Sequence, residues 1–158
     1  MLIDSLRLGQ IEVPDEKVIT MAKPVLGFEQ LKRFALIDVE ETHPFLWLQS
    51  LEDSAVSFLV VNPKLFIADY KIEVNSKELF ELKIDDVADV ETFVVVTIQN
   101  EPHEMSLNLQ GPILINNANK LGKQLVLVNS SYEVRHRIDL GSDVEETETV
   151  ASEEPVLV

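Results

Sequence analysis

Residues 45–61 read Phe-Leu-Trp-Leu-Gln-Ser-Leu-Glu-Asp-Ser-Ala-Val-Ser-Phe-Leu-Val-Val and are followed by Asn62-Pro63. Two runs of strong strand formers, Phe45–Ser50 and Val56–Val61, flank the polar turn Glu52-Asp53-Ser54. Each run is too short for a stable helix and rich in β-branched or aromatic residues, so the stretch predicts an antiparallel hairpin closed by Asn62-Pro63. Phe45 and Trp47 stand two residues apart and share a face of their strand. Trp47, the only Trp, is expected in the core rather than as an interface anchor.

The same punctuation recurs on both sides. Leu2–Leu8 and Ile11–Val13 flank Gly9-Gln10, a hairpin with Gly at the first central turn position. Val18–Met21 follows a polar turn at Asp15–Lys17, and Arg33–Asp38 resumes after Pro24 to Gly27. Phe66 to Val74 reads as extended, with Tyr70, Ile72 and Val74 on one face. Val94–Ile98, Met105–Leu109, Ile113–Ile115, Leu125–Val128 and a short piece within Tyr132–Arg137 complete the set. One helix is signalled: Asn75 caps it, Glu78 supplies a capping box, and Leu79 and Leu82 share a face. Asp85–Val90 adds a second helical turn. The reading is a mainly β protein, a small antiparallel β-barrel or sandwich-like domain with one or two short helices.

A chain of 158 residues is long enough to bury a core without metal or disulfide. It carries 13 Lys+Arg against 28 Asp+Glu, a net charge of −15. That balance argues against direct nucleic-acid binding and against an anionic membrane surface. The absence of Cys removes thiolate metal sites and Cys nucleophiles and suits a reducing compartment. Asp4 breaks the apolar start, with no basic segment before it, and no run approaches the ~20 apolar residues of a membrane helix. A cytoplasmic location is expected.

His43, His103 and His136 lack any spacing that would place two imidazoles on one face, so no metal and no cofactor is expected. No Gly-x-Ser-x-Gly elbow surrounds Ser130-Ser131, and Gly122-Lys123-Gln124 lacks the spacing of a phosphate loop. No catalytic step is expected. Two stretches set polar residues among strand formers: Gln49 and Ser50 with Glu52 and Asp53, and Ser106, Asn108 and Gln110, which alternate with Met105, Leu107 and Leu109. The amide-lined face is either a solvated outer face or a partner surface. Gly111-Pro112 then interrupts the ladder, where an edge or a bulge is expected. These seven polar residues are the candidate partner-binding set.

The ordered blocks resemble the flagellar assembly factor FliW family from about Ile3 to Arg137. They are Arg7-Leu8-Gly9 with Ile11-Glu12-Val13; Leu26-Gly27-Phe28-Glu29 with Arg33-Phe34; and, most specific, Pro44-Phe45-Leu46-Trp47-Leu48-Gln49-Ser50 with Glu52-Asp53 and Phe58. Asn62-Pro63, Asp69-Tyr70, Met105, Asn108-Leu109, Gly111-Pro112-Ile113, Ile115-Asn116 and Gly122-Lys123-Gln124 follow in order. Leu8 stands where the family usually has Phe, Met21-Ala22 where it has Phe-Pro, and Gly111 where Ala is common. The resemblance implies a small β-barrel-like binding protein with no catalytic step. It implies two competing partners, cytoplasmic flagellin and CsrA, a small RNA-binding repressor of flagellin translation. Export of flagellin would free the factor to capture CsrA. The alternative is a β-barrel that binds a small molecule.

Seven acids and no Lys or Arg lie from Asp139 onward, so residues 139–158 hold −7 of the charge and residues 1–138 hold −8. The stretch lacks aromatics and periodicity and cannot bury enough apolar surface to offset the entropy of ordering it. A β domain over 1–138 with an acidic, mobile tail over 139–158 is expected, and fast amide exchange throughout 141–158 is the outcome that checks it; strong protection along that stretch would overturn it.

Overall fold

Alternation of inward and outward side chains governs the architecture. The computed structural model describes residues 1–98, 104–127 and 130–139. Its strands are β1 (Leu2–Ser5), β2 (Gly9–Glu12), β3 (Val18–Met21), β4 (Arg33–Ile37), β5 (Leu46–Ser50), β6 (Ser57–Val61), β7 (Val90–Ile98), β8 (Glu104–Leu107), β9 (Ile113–Asn116), β10 (Leu121–Gln124) and β11 (His136–Asp139). The helix α1 spans Ser76–Glu81. Strands β3 to β7 follow one another antiparallel, β9 joins β7 to β10, and β10 returns to β3 as a parallel pair. The result is a closed seven-stranded barrel.

The nine-residue strand β7 makes closure possible. Val94 and Val95 pair with β6 on one edge, while Val90–Phe93 pair with β9 and Val96–Ile98 with β8 on the other. Between β8 and β9 the chain leaves the ladder at 108–112, opposite only Val94 and Val95. This excursion is the bulge expected at Gly111-Pro112. Strand β11 extends the sheet outward from β8.

The barrel interior is filled by Ile19, Met21, Phe34, Leu48, Val60, Phe93, Ile113 and Ile115, with Phe28 and Phe58 packed edge to face at 5.0 Å. The alternate residues of the same strands, among them Leu59, Val61, Val94, Val96 and Leu114, face outward. They are covered by Tyr70, Ile72, Leu82, Leu109 and Leu125. The β1–β2 hairpin covers another part of the outside, packing Ile3 and Val13 on Ala35. Among the described residues, no helix is long and apolar enough to cross a membrane.

Several expected elements are placed differently. The first turn is Leu6–Leu8, not Gly9-Gln10; Ser5 pairs with Gly9, which enters β2 at φ +83°. Ser5 Oγ accepts from the Arg7 and Leu8 amides and favours the three-residue turn, with Gly9 in the left-handed position that such a turn needs. Phe66 to Val74 is no strand. Tyr70 and Ile72 are buried, but the segment has no ladder partner among the described residues: the Phe66, Ile67 and Tyr70 amides close local turns, and the Lys71 amide donates to the Tyr132 hydroxyl at 3.1 Å. No strand lies at Leu125–Leu127, and Val128 is outside the described residues; β10 occupies the four residues before, and Leu125 and Leu127 continue it only through single bonds to the Pro112 and Gln110 carbonyls. The last strand is His136–Asp139, and Asp85–Val90 contributes one 3-10 turn at Val87–Asp89. His103 and residues 140–158, with the tail expected there, lie outside the described residues.

Gly122 of β10 lies against β3 and β9 with little room for a side chain. A Cβ there would stand 2.9 Å from Met21 Sδ, 3.2 Å from Ile19 Cγ2 and 3.4 Å from the Leu114 carbonyl oxygen. Gly122→Ala is expected to destabilise the fold by about 1–3 kcal/mol, seen as a lower urea midpoint at unchanged slope; an unchanged midpoint would show that β3 and β10 have slack.

Candidate partner-binding site

The β5–β6 connection is built by its own side chains. Ser50 Oγ accepts from the amides of Glu52 and Asp53, both at 3.0 Å, and Asp53 Oδ1 accepts from the Ala55 amide at 3.0 Å. Gln49 is fully buried on the outer face of β5. Its Nε2 donates to the Ser50 and Val56 carbonyls at 3.0 and 3.2 Å, and its Oε1 accepts from Ser5 Oγ at 2.7 Å. The Leu6 amide adds a bond to the Ser54 carbonyl at 2.9 Å. One side chain therefore joins the β5–β6 turn to the tip of the β1–β2 hairpin.

The surface of this corner is mixed. Glu52 and Asp53 are exposed, and Leu6 is 76% exposed beside them. The Arg7 guanidinium lies 4.8 Å from the centre of the Trp47 ring, a cation–π contact. Trp47 is only half-buried: it packs on the outer core and also meets Arg7, and its Nε1 has no hydrogen-bond partner among the described residues. Glu52 Oε1 accepts from the Lys32 amide at 2.6 Å, and Oε2 lies 3.7 Å from Arg33 Nε. The Lys32 amide, aided by Arg33, outweighs partial desolvation and holds the Glu52 carboxyl below its ordinary range.

The second polar group lies two strands away, across β6 and β7, and no hydrogen bond joins it to the first among the described residues. Ser106 is buried between Thr97 and Arg137, so it does not share the solvated outer face considered for it. Asn108 Oδ1 accepts from the Gln110 and Gly111 amides at 3.1 and 3.0 Å, and Gln110 Nε2 donates to the Tyr132 carbonyl at 2.8 Å. Asn108 and Gln110 thus shape the excursion between β8 and β9. Beneath it the Tyr70 hydroxyl donates to the Leu109 carbonyl at 2.7 Å, and burial, with Tyr132 close by, pushes that phenol well above its usual range.

Sequence reasoning did not single out Lys123. It is buried on the outer face of β10, with Nζ 3.3 Å from Glu78 and also bonded to Glu81. Burial opposes its charge, but the two carboxylates outweigh it and raise the Lys123 pKa; the same bond lowers that of Glu81. Asn116 and Asn119 donate to the Leu82 carbonyl at 2.9 and 3.0 Å. A Lys between Gly122 and Gln124, with the capping-box residue Glu78 on α1, is the available signal.

Comparison with known proteins places this geometry. The family described as FliW protein matches residues 2–138. The chain belongs to the FliW family. The flagellar assembly factor FliW of Thermotoga maritima is 41% identical over 145 residues, covering 91% of this chain and 96% of its own. That of Syntrophus aciditrophicus is 40% identical over 138 residues, covering 87% of each. A crystal structure of the flagellar assembly factor FliW superposes with a TM-score of 0.81 at 31% identity, covering 87% of this chain and 96% of that one. The FliW match takes in both polar groups and the Lys123 cluster, and it stops where the acidic segment begins.

Because the carboxyl of Glu52 is depressed by folding, its ionised form contributes stability that is complete above the ordinary carboxylate range and is lost as pH falls through the folded value. Glu52→Gln is expected to cost no more than about 1 kcal/mol at neutral pH, since the group is exposed. Urea denaturation across the acid range should show variant and parent converging as Glu52 protonates; a gap that stays constant would deny the carboxylate's charge any part.

Proposed function

We propose that this FliW-family protein is a cytoplasmic partner switch: it binds flagellin as a chaperone and, when free of it, binds CsrA and relieves repression of flagellin mRNA, with no catalytic step. The observation that carries the reading is the match of the whole barrel, through every described strand up to Ile138, to proteins named flagellar assembly factors. The charge agrees. A −15 protein attracts the basic surface that an RNA-binding repressor presents. Once bound, its acids repel RNA phosphates over a Debye length of ~8 Å. The seven acids from Asp139 onward add to both effects. The alternative of a small-molecule barrel needs an interior cavity, whereas Phe34, Leu48, Val60, Phe93 and Ile113 occupy the interior.

The partner surface is assigned to the β5–β6 corner, where Glu52 and Asp53 meet Leu6 and the Arg7–Trp47 pair. Gln49 and Ser50 shape that corner from beneath. Asn108 and Gln110, with buried Ser106, shape a second surface at the excursion.

Calorimetric titration of the purified protein with CsrA, then with flagellin already bound, tests the switch. Binding to CsrA that weakens when flagellin is present is expected, and joint reversal of Glu52 and Asp53 to Lys should weaken one partner about tenfold, or ~1.4 kcal/mol. Heat with neither partner well above micromolar concentration would leave only a shared fold; unchanged affinities in the reversal variant would remove the corner.

A further inference from the structure

The helix α1 is turned inside out. Glu78 is its buried residue, 8% exposed, while Phe80 is 82% and Leu79 38% exposed. A buried acid beside an exposed aromatic runs against the ordinary partition of residue types. The expectation that Leu79 shares the buried face with Leu82 fails for the same reason: Leu82 is buried and Leu79 is not.

The orientation is fixed by polar contacts. Asn75 and Glu78 form the full capping box. Lys123 bonds Glu78 and Glu81, Lys23 stands 3.7 Å from Glu81, and Asn116 and Asn119 hold the Leu82 carbonyl. Rotating the helix to bury Phe80 would break this set and strand Lys123 as a buried, unpaired charge. The fold therefore presents Phe80 to the outside. Lys77, three residues before it, and Lys83, whose amide donates to the Phe80 carbonyl at 3.2 Å, are both exposed. Neither ammonium lies within salt-bridge distance of a carboxylate among the described residues.

The far part of the sequence offers a complement. Residues 153–158 read Glu-Glu-Pro-Val-Leu-Val: two acids, then the longest run of large apolar side chains beyond Asp139. Val156 lies seventeen positions beyond Asp139. Such a span reaches about 60 Å when extended and averages about 20–25 Å as a flexible chain. A 138-residue body has a radius of gyration of roughly 14 Å, so the span covers its surface, and tethering supplies a high effective concentration even for a weak contact.

We propose that Glu153–Val158 of this chain docks across the outward face of α1, with Val156, Leu157 and Val158 on Phe80 and Leu79 and the two glutamates by Lys77 and Lys83. The contact covers the exposed aromatic in the unpartnered protein and yields to any partner that binds α1 more tightly.

The absence of Cys allows a clean test on the full chain. A nitroxide is attached at Ser152→Cys, and paramagnetic broadening of backbone amides is read by NMR. Broadening concentrated at residues 77–83, with several-fold loss of peak intensity, is expected, and it should spread evenly in either Leu157→Asp or Phe80→Ser. Phe80 is exposed, so Phe80→Ser leaves the fold intact, and amide shifts away from α1 verify this. Broadening that is uniform from the start, centred elsewhere, or indifferent to both substitutions would overturn the proposal. So would broadening that survives when labelled chains are mixed with isotopically distinct unlabelled chains, because the contact would then lie between copies.

Discussion

The pairing of Val90–Phe93 with Ile113–Asn116 is the constraint on which the architecture rests. Without it the seven strands, joined through β3 and β10, would form an open sheet with exposed edges at β7 and β9. With it the ring closes and the inward residues of seven strands share one interior. Because β7 is long enough to serve β6, β8 and β9, the chain between β8 and β9 must leave the ladder. The excursion carrying Asn108 and Gln110 is a consequence of closure, and its amide side chains satisfy the backbone groups that the interrupted ladder frees.

The parts of the fold legible in the sequence were those where one periodicity met one environment. Phe45–Val61 alternates between a filled interior and a covered exterior, and its hairpin is where the sequence places it. Strand β10 was illegible because Gly122, Lys123 and Gln124 resemble a loop. Gly122 sits in a tight space against Met21, Ile19 and the Leu114 carbonyl, and Lys123 is neutralised by two glutamates from another element, so neither shows local β character. Phe66 to Val74 misled for the opposite reason. Its inward period of two is real, but it is imposed by the outer core and not by a ladder. Leu79 misled because ion pairs, and not apolar area, orient α1.

The candidate site was legible as composition and illegible as geometry. Gln49, Ser50, Glu52 and Asp53 do gather at one corner, yet only the two acids reach the surface. Gln49 binds two hairpins together and Ser50 folds the turn beneath them. The neighbours that complete the corner, Leu6 and Arg7, come from a hairpin more than forty residues away in sequence, which no local pattern announces.

The lone parallel pair, β3 with β10, sets the order in which the molecule can be made. Thr20 pairs with Leu121, across about a hundred residues of chain. At ~5–20 residues per second the ribosome needs roughly 5–20 s to produce that span. During that time β3 has β4 on one side and an open edge on the other, with Ile19 and Met21 lacking the far wall of the interior. Closure is a late, non-local event of the kind that slows folding and exposes sheet edges. The growing chain therefore carries an open strand edge until β10 arrives, and the charge gathered from Asp139 onward is made only after the residues that close the barrel.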